Sequence, residues 1–222
     1  MGMAVGISAA QLVTFVASFR ETSALADLVL FFEAPASARF REIIDKYRVV
    51  ALEINRERLE PAFLRRYHPS SARWILMQRF LDAKGGNYER VLIADVGDTF
   101  FQTDPFDIIG DPGMYTFMQG EVIGQSSLTS GWIKDCLGPS ALSEVADQPT
   151  IYTSVTLATS QFATEYTRQM SEGLSSAAFQ ACETPGVEKG LHNYLLYTGS
   201  IAKVLRFDQT SGPVVDIQVW VL

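Results

Sequence analysis

Residues 88–106 read YERVLIADVGDTFFQTDPF, and the fold turns on how this stretch divides. Val91 to Ala94 is an unbroken apolar run of strand length, the kind that a parallel sheet covers on both faces. It stops at Asp95, with Gly97 and Asp98 close behind, so a strand ends in a tight acidic turn. Two carboxylates on such a turn can converge on one hard cation such as Mg²⁺ or Mn²⁺. Gly97 between them lets the backbone turn sharply or approach a ligand closely. An isolated D-x-x-D reads better as a solvated acidic turn, with Asp104-Pro105 opening the next loop.

Outward from this segment, strand and helix patterns alternate with short connections. Toward the N-terminus, Ala4 to Ile7 predicts a short strand, and Ser8 caps a helix whose buried stripe is Leu12, Phe15, Val16 and Phe19. Leu28 to Phe32 and Val49 to Ile54 predict strands on either side of a helix carrying Phe40, Ile43, Ile44 and Tyr47. Ser70 or Ser71 starts a helix with Trp74, Met77 and Leu81, closed by Gly85-Gly86. Beyond the acidic turn the pattern loosens. Strands are predicted at Tyr115 to Met118, Ile151 to Leu157, Ala202 to Phe207 and Val214 to Leu222. Trp132-Ile133 belongs to a helix or turn, and two helices follow, one from Ser160 and one carrying Leu191, Tyr194 and Leu195. Repeated βα units imply an α/β fold with a mainly parallel sheet flanked by helices. Such sheets bind ligands outside the carboxyl ends of their strands, where the strand order switches. Asp95 and Asp98 lie just past such an end.

Composition bounds the function. At 47% hydrophobic and 19% charged, 222 residues make one ordinary globular domain. A formal charge of -7, spread along the chain, argues against a nucleic-acid partner, which needs clustered Lys and Arg. With His68 and His192 as its two histidines, the chain excludes a multi-histidine metal centre. Cys136 and Cys182 lack zinc-site spacing and read as two free buried thiols, with a single disulfide as the alternative in an oxidising compartment. No stretch reaches the length and purity of a membrane span. The apolar start lacks a preceding basic residue and is broken by Ser8, Gln11 and Thr14, unlike a signal peptide.

The segment 88–106 resembles the acidic-motif region of GT-A-fold nucleotide-diphospho-sugar glycosyltransferases, in which an apolar strand leads into D-x-x-D…Q-x-D-P-F. The resemblance extends, unevenly, over 1–222. Ser18-Phe19-Arg20 with Asp27 to Phe31 is similar to the family's opening helix and second strand. Gly131 to Gly138 resembles a W-I-x-x-C-x-G segment beside the acceptor, and Glu188 to Tyr194 resembles a D-Q-G-x-H-N-Y motif. The resemblance implies a GT-A-like, Rossmann-like single domain that binds a nucleoside diphosphate sugar at the ends of the strands around Ile7 and Phe32. It implies transfer of the sugar to a hydroxyl of a glycan, protein or small molecule. Asp98 would hold the Mn²⁺ or Mg²⁺ most directly and Asp95 would complete or orient the site. Arg73 would face the donor, while Ser154, His192 and Asn193 would contact sugar or acceptor. Glu188 is the one candidate for a general base. The implied compartment is the Golgi lumen for an anchored eukaryotic chain and the cytoplasm otherwise.

The chain departs from the family pattern in three places. Glu188-Lys189 stands where Asp-Gln is usual, Val155 replaces a glycine in a C-S-G-T-like turn, and no histidine follows His192, so water or substrate oxygens fill that metal position or the chain is a truncated or degenerate form of the pattern. These departures favour, as an alternative, a nucleotide-sugar-binding domain without turnover. A haloacid-dehalogenase-type phosphatase is a more distant reading. It needs D-x-D-G-T after the first strand, whereas this chain has D-x-G-D-T after the fourth.

Overall fold

A computed structural model describes residues 1–182 and 185–208, and the backbone of 214–216. The strands are β1 (Gly2–Met3), β2 (Val29–Glu33), β3 (Val50–Ile54), β4 (Arg90–Ala94), β5 (Thr99–Phe101), β6 (Met114–Val122), β7 (Pro149–Thr159), β8 (Val204–Asp208) and β9 (Val214–Asp216). The helices are α1 (Ala9–Thr22), α2 (Ala38–Lys46), α3 (Pro69–Lys84), α4 (Ser127–Leu137), α5 (Pro139–Val145), α6 (Ser160–Ser175), α7 (Ala177–Ala181) and α8 (Val187–Tyr197). None is long and apolar enough to cross a membrane among the described residues.

β1, β2 and β3 pair in parallel, and a second sheet runs in the order β4-β7-β6-β8. Met1 joins the two: its carbonyl accepts from the Ala94 N–H at 3.0 Å and its amino group donates to the Leu92 carbonyl. The resulting order is β3-β2-β1-β4-β7-β6-β8, and its direction of growth reverses between β1 and β4. The acidic turn therefore leaves the sheet at its switch point, where open α/β sheets bind ligands.

The α/β expectation holds in the first half of the chain, but the sheet as a whole is mixed. β7 runs antiparallel to both β4 and β6, while β8 is parallel to β6. Strand direction is set by how connections cross the molecule and leaves no local mark. An apolar run reads the same in either sense.

Period-2 alternation sorts the core into two layers. Val91 and Ile93 face α3, α6 and α8, whereas Leu92 and Ala94 face α1 and α2. Phe31 likewise joins the first layer, and Leu30 and Phe32 join the second. Trp74, fully buried, meets Tyr166 edge-on at 5.2 Å in one layer; Phe101 meets Phe15 and Phe19 at 5.3 and 5.1 Å in the other.

Several local boundaries differ from expectation. The strand expected over Ala4 to Ile7 is not formed: β1 is Gly2–Met3, and the following run, with Gly6 at φ 74°, turns away from the sheet toward α1. Ser8 caps α1 as expected, in a reciprocal capping box with Gln11. α3 begins at Pro69 rather than after Ser70, since the His68 side chain accepts from the Ser70 N–H and proline suits the first helical position. The strand expected over Val214 to Leu222 is described only as β9; 217–222 lie outside the described residues. Cys136 and Cys182 are joined in a disulfide with Cα atoms 5.8 Å apart, which corrects the expectation of two free thiols. Packing of α4 against α7 brings together residues 46 positions apart.

Candidate functional site

The acidic turn is held from both sides. The Asp95 N–H donates to the Ser154 carbonyl at 2.7 Å, which extends the β4–β7 ladder one step past Ala94. Val96 is buried and anchors the turn. A Cβ on Gly97 would lie 3.1 Å from Gln11 Nε2 and 3.5 Å from Ile7 Cγ2, so glycine serves close approach there. The Gln11 amide donates to the Gly97 carbonyl at 3.3 Å, tying the turn to the first turn of α1. Asp95 and Asp98 are both partly exposed.

Behind Asp95 lies a buried charge. Arg73, in the early part of α3, is 3% exposed and pairs through its guanidinium with the Asp95 carboxylate. It also donates to the Thr153 carbonyl at 3.3 Å and lies 4.8 Å from the Trp74 ring centroid. Burial lowers its pKa, and the Glu188 carboxylate works against that shift. The Arg73 side chain reaches the acidic motif itself. An exposed helix arginine is ruled out.

Glu188 is buried and accepts from the Ser71 hydroxyl at 2.8 Å, while its second oxygen has no partner among the described residues. His192 is fully buried, with its Nδ1 2.5 Å from the Tyr166 hydroxyl. Burial and the Arg73 charge hold the imidazole pKa down to about 3, against a smaller opposing effect from the Tyr152 backbone. It is therefore neutral at physiological pH. Burial likewise raises the Tyr166 pKa. Asn193 spends its amide on structure. It accepts from the Ile151 N–H at 2.7 Å and donates to the Ile151 and Lys189 carbonyls at 3.2 and 2.9 Å, clamping α8 to β7.

Two recesses flank the turn. One is a groove of about 450 Å³ at the carboxyl ends of β1 and β2, lined by Ile7, Phe32, Pro35 and Phe40 among others. The other is a polar cleft of about 400 Å³ whose wall includes Asp95, Thr150, Ser154, Lys189 and Asn193. An irregularity in β7 shapes the cleft. Thr156 pairs with Thr116 but Ile151 with Met118, so extra residues on β7 are unmatched on β6. The Thr153 carbonyl, within the stretch of β7 unmatched on β6, accepts from Arg73, and bulges are common beside binding sites. Val155 pairs with Ala94 within regular strand and is buried in the core, so a side chain is accommodated where the family pattern has glycine.

The structure thus gathers Arg73, Asp95, Ser154, Glu188, His192 and Asn193 around one end of β4 and β7, but on two levels. Partly exposed Asp95 lines the cleft with the buried Ser154 and Asn193, whereas Arg73, Glu188 and His192 are buried and off its wall. Sequence reasoning missed Ser71 and Tyr166, which read as helix-cap and core positions. Their only signal is the chemistry of the groups they meet, 117 and 26 residues away. For a divalent cation, Asp98 with Asp95 supplies two hard oxygen donors on one turn, which suits Mn²⁺ or Mg²⁺ with water or ligand oxygens completing the shell. Among the described residues, no group of three or more His, Cys, Asp or Glu side chains gathers to hold a metal. No protein-family model matches this chain, and no curated protein matches it significantly.

Proposed function

We propose that the chain is a metal-dependent glycosyltransferase of GT-A-like architecture, transferring a sugar from a nucleoside diphosphate to a hydroxyl acceptor. The observation that carries this reading is the place of the acidic turn: at the sheet's switch point, between the groove beside Ile7 and the polar cleft beside Ser154. The aromatic side of the groove suits a base, and the polar cleft suits a polyol. Asp98 and Asp95 would hold the cation, which would supply positive charge to stabilise a diphosphate leaving group.

The chain's own residues set the rest. Arg73 balances Asp95 from below, so the carboxylate is fixed in direction before any ligand arrives. Glu188 lies beneath the cleft, bonded to Ser71, and its role here is to position Arg73 rather than to take a proton from an acceptor. His192 supports the same layer as a neutral group. Asp95 is the one carboxylate on the cleft wall among the described residues. That withdrawn Glu188 also favours a second reading, a domain that binds nucleotide sugars without turnover.

Calorimetric titration with UDP, GDP and their sugar conjugates, in Mn²⁺ and then EDTA, tests both. Metal-dependent binding of one nucleotide, lost in Asp98→Ala, is the expected result. Binding without transfer to any acceptor would leave the second reading; no nucleotide binding at all would overturn both.

A further inference from the structure

The polar cleft carries a cation that fold stability does not explain. Lys189 lies in the first turn of α8, where the helix dipole favours anions and disfavours a positive charge. Among the described residues no side chain caps this helix end, and Lys189 is half-buried on the cleft wall. Among the described residues its ammonium has no carboxylate partner, and it lies 6.0 Å from the Trp132 ring centroid. Trp132 holds it in place. A Cβ on Gly186 would come within 2.4 Å of that ring, and one on Gly190 within 2.9 Å of the Trp132 Cβ, so two glycines let the indole lie flush against the start of α8.

A second group on the same wall points the same way. Thr150 is 3% exposed, lines the cleft, and its hydroxyl has no hydrogen-bond partner among the described residues. A buried hydroxyl without a partner is costly unless a ligand or water completes it. Asp95, the negative group on the wall, is already matched by Arg73, and the Glu188 carboxylate is turned to Ser71 on α3. The cleft thus offers an unmatched cation and an unmatched hydroxyl, with further hydroxyl side chains around them.

We infer that this cleft selects a sugar bearing a carboxylate, a uronic acid, with Lys189 pairing the carboxylate and Thr150 a ring hydroxyl. The inference rests on the carbohydrate-transfer reading of the same site and names its substrate class.

The test is ligand-observed NMR titration of the full chain with glucuronate, glucose and inorganic sulfate, without nucleotide or metal, beside the UDP and GDP titrations in Mn²⁺. Glucuronate is expected to bind about fivefold more tightly than glucose, as for a partly exposed ion pair. That preference should shrink as salt rises. It should vanish in Lys189→Gln, persist in Lys189→Arg, and both sugars should weaken in Thr150→Val. Equal affinity for the two sugars, or a preference that survives Lys189→Gln, would overturn the inference. So would sulfate binding as tightly as glucuronate while glucose fails to bind, which would make the cleft an anion site without sugar recognition. If neither sugar binds but a nucleotide does, this inference falls and the transfer reading stands. If glucuronate is selected but no nucleotide binds, the cleft keeps its ligand and the transfer reading falls.

Discussion

Arg73 shows how a single buried charge can organise a site. A guanidinium taken out of water is tolerated only when opposite charge and hydrogen bonds replace the lost solvent, and Asp95, the Thr153 carbonyl and the nearby Glu188 do so. In sequence it is an arginine on a helix, and only its partner 22 residues away gives it meaning. His192 is the same case with the opposite outcome, a group kept neutral. Its folded-state pKa of about 3 lies below the ordinary 6.5, so protonation favours the unfolded chain. The contribution to stability is full above about pH 6.5 and is lost as pH falls toward 3. Its slope approaches about 1.4 kcal/mol per pH unit between those limits. Urea midpoints measured for wild type and His192→Gln from pH 7 to 4 check this: the wild type should lose stability more steeply than the variant. Parallel profiles would show that the imidazole titrates as it does in water.

At the scale of elements, the cleft depends on how α8 is seated. Trp132 of α4 lies against Gly186 and Gly190, Asn193 clamps α8 to Ile151, and the Cys136–Cys182 disulfide ties the end of α4 to the segment before α8. The two cysteines enclose 46 residues of separation, for which loop-closure entropy gives about 3–4 kcal/mol of stabilisation. Reduction, or Cys136→Ser with Cys182→Ser, should lower the urea-derived stability by that order and weaken sugar binding in the cleft, since Lys189 rides on the same contact. An unchanged midpoint after verified reduction would show that the α4–α8 packing holds alone. Sequence reading identified α8 by its apolar spacing and α4 only as a helix or turn. It held the disulfide only as the alternative to two free thiols, because no spacing rule links two cysteines so far apart. Nor could it see the β7 bulge, which exists only as a mismatch between two strands.

For the whole molecule, two core layers share one sheet and the ligand recesses open along its carboxyl edge, so binding there couples to global stability. Under the transfer reading, the matching nucleotide with Mn²⁺ at about 100 times its Kd should add about 2.7 kcal/mol and raise the Tm by several degrees, an effect EDTA reverses. A Tm indifferent to nucleotide and metal would argue against a donor site on this edge. The sequence by itself determined the α/β character, most helices and strands of the first half, the Ser8 cap and the position of the acidic turn after β4. Each of these rests on local periodicity or on a residue's own conformational preference, which neighbours in the chain carry. Tertiary structure alone decided the antiparallel course of β7, the disulfide, the burial of Arg73, Glu188 and His192, and the meeting of Lys189 and Thr150 at one cleft. Those are relations between residues distant in the chain, and burial and pairing energies act on distance in space.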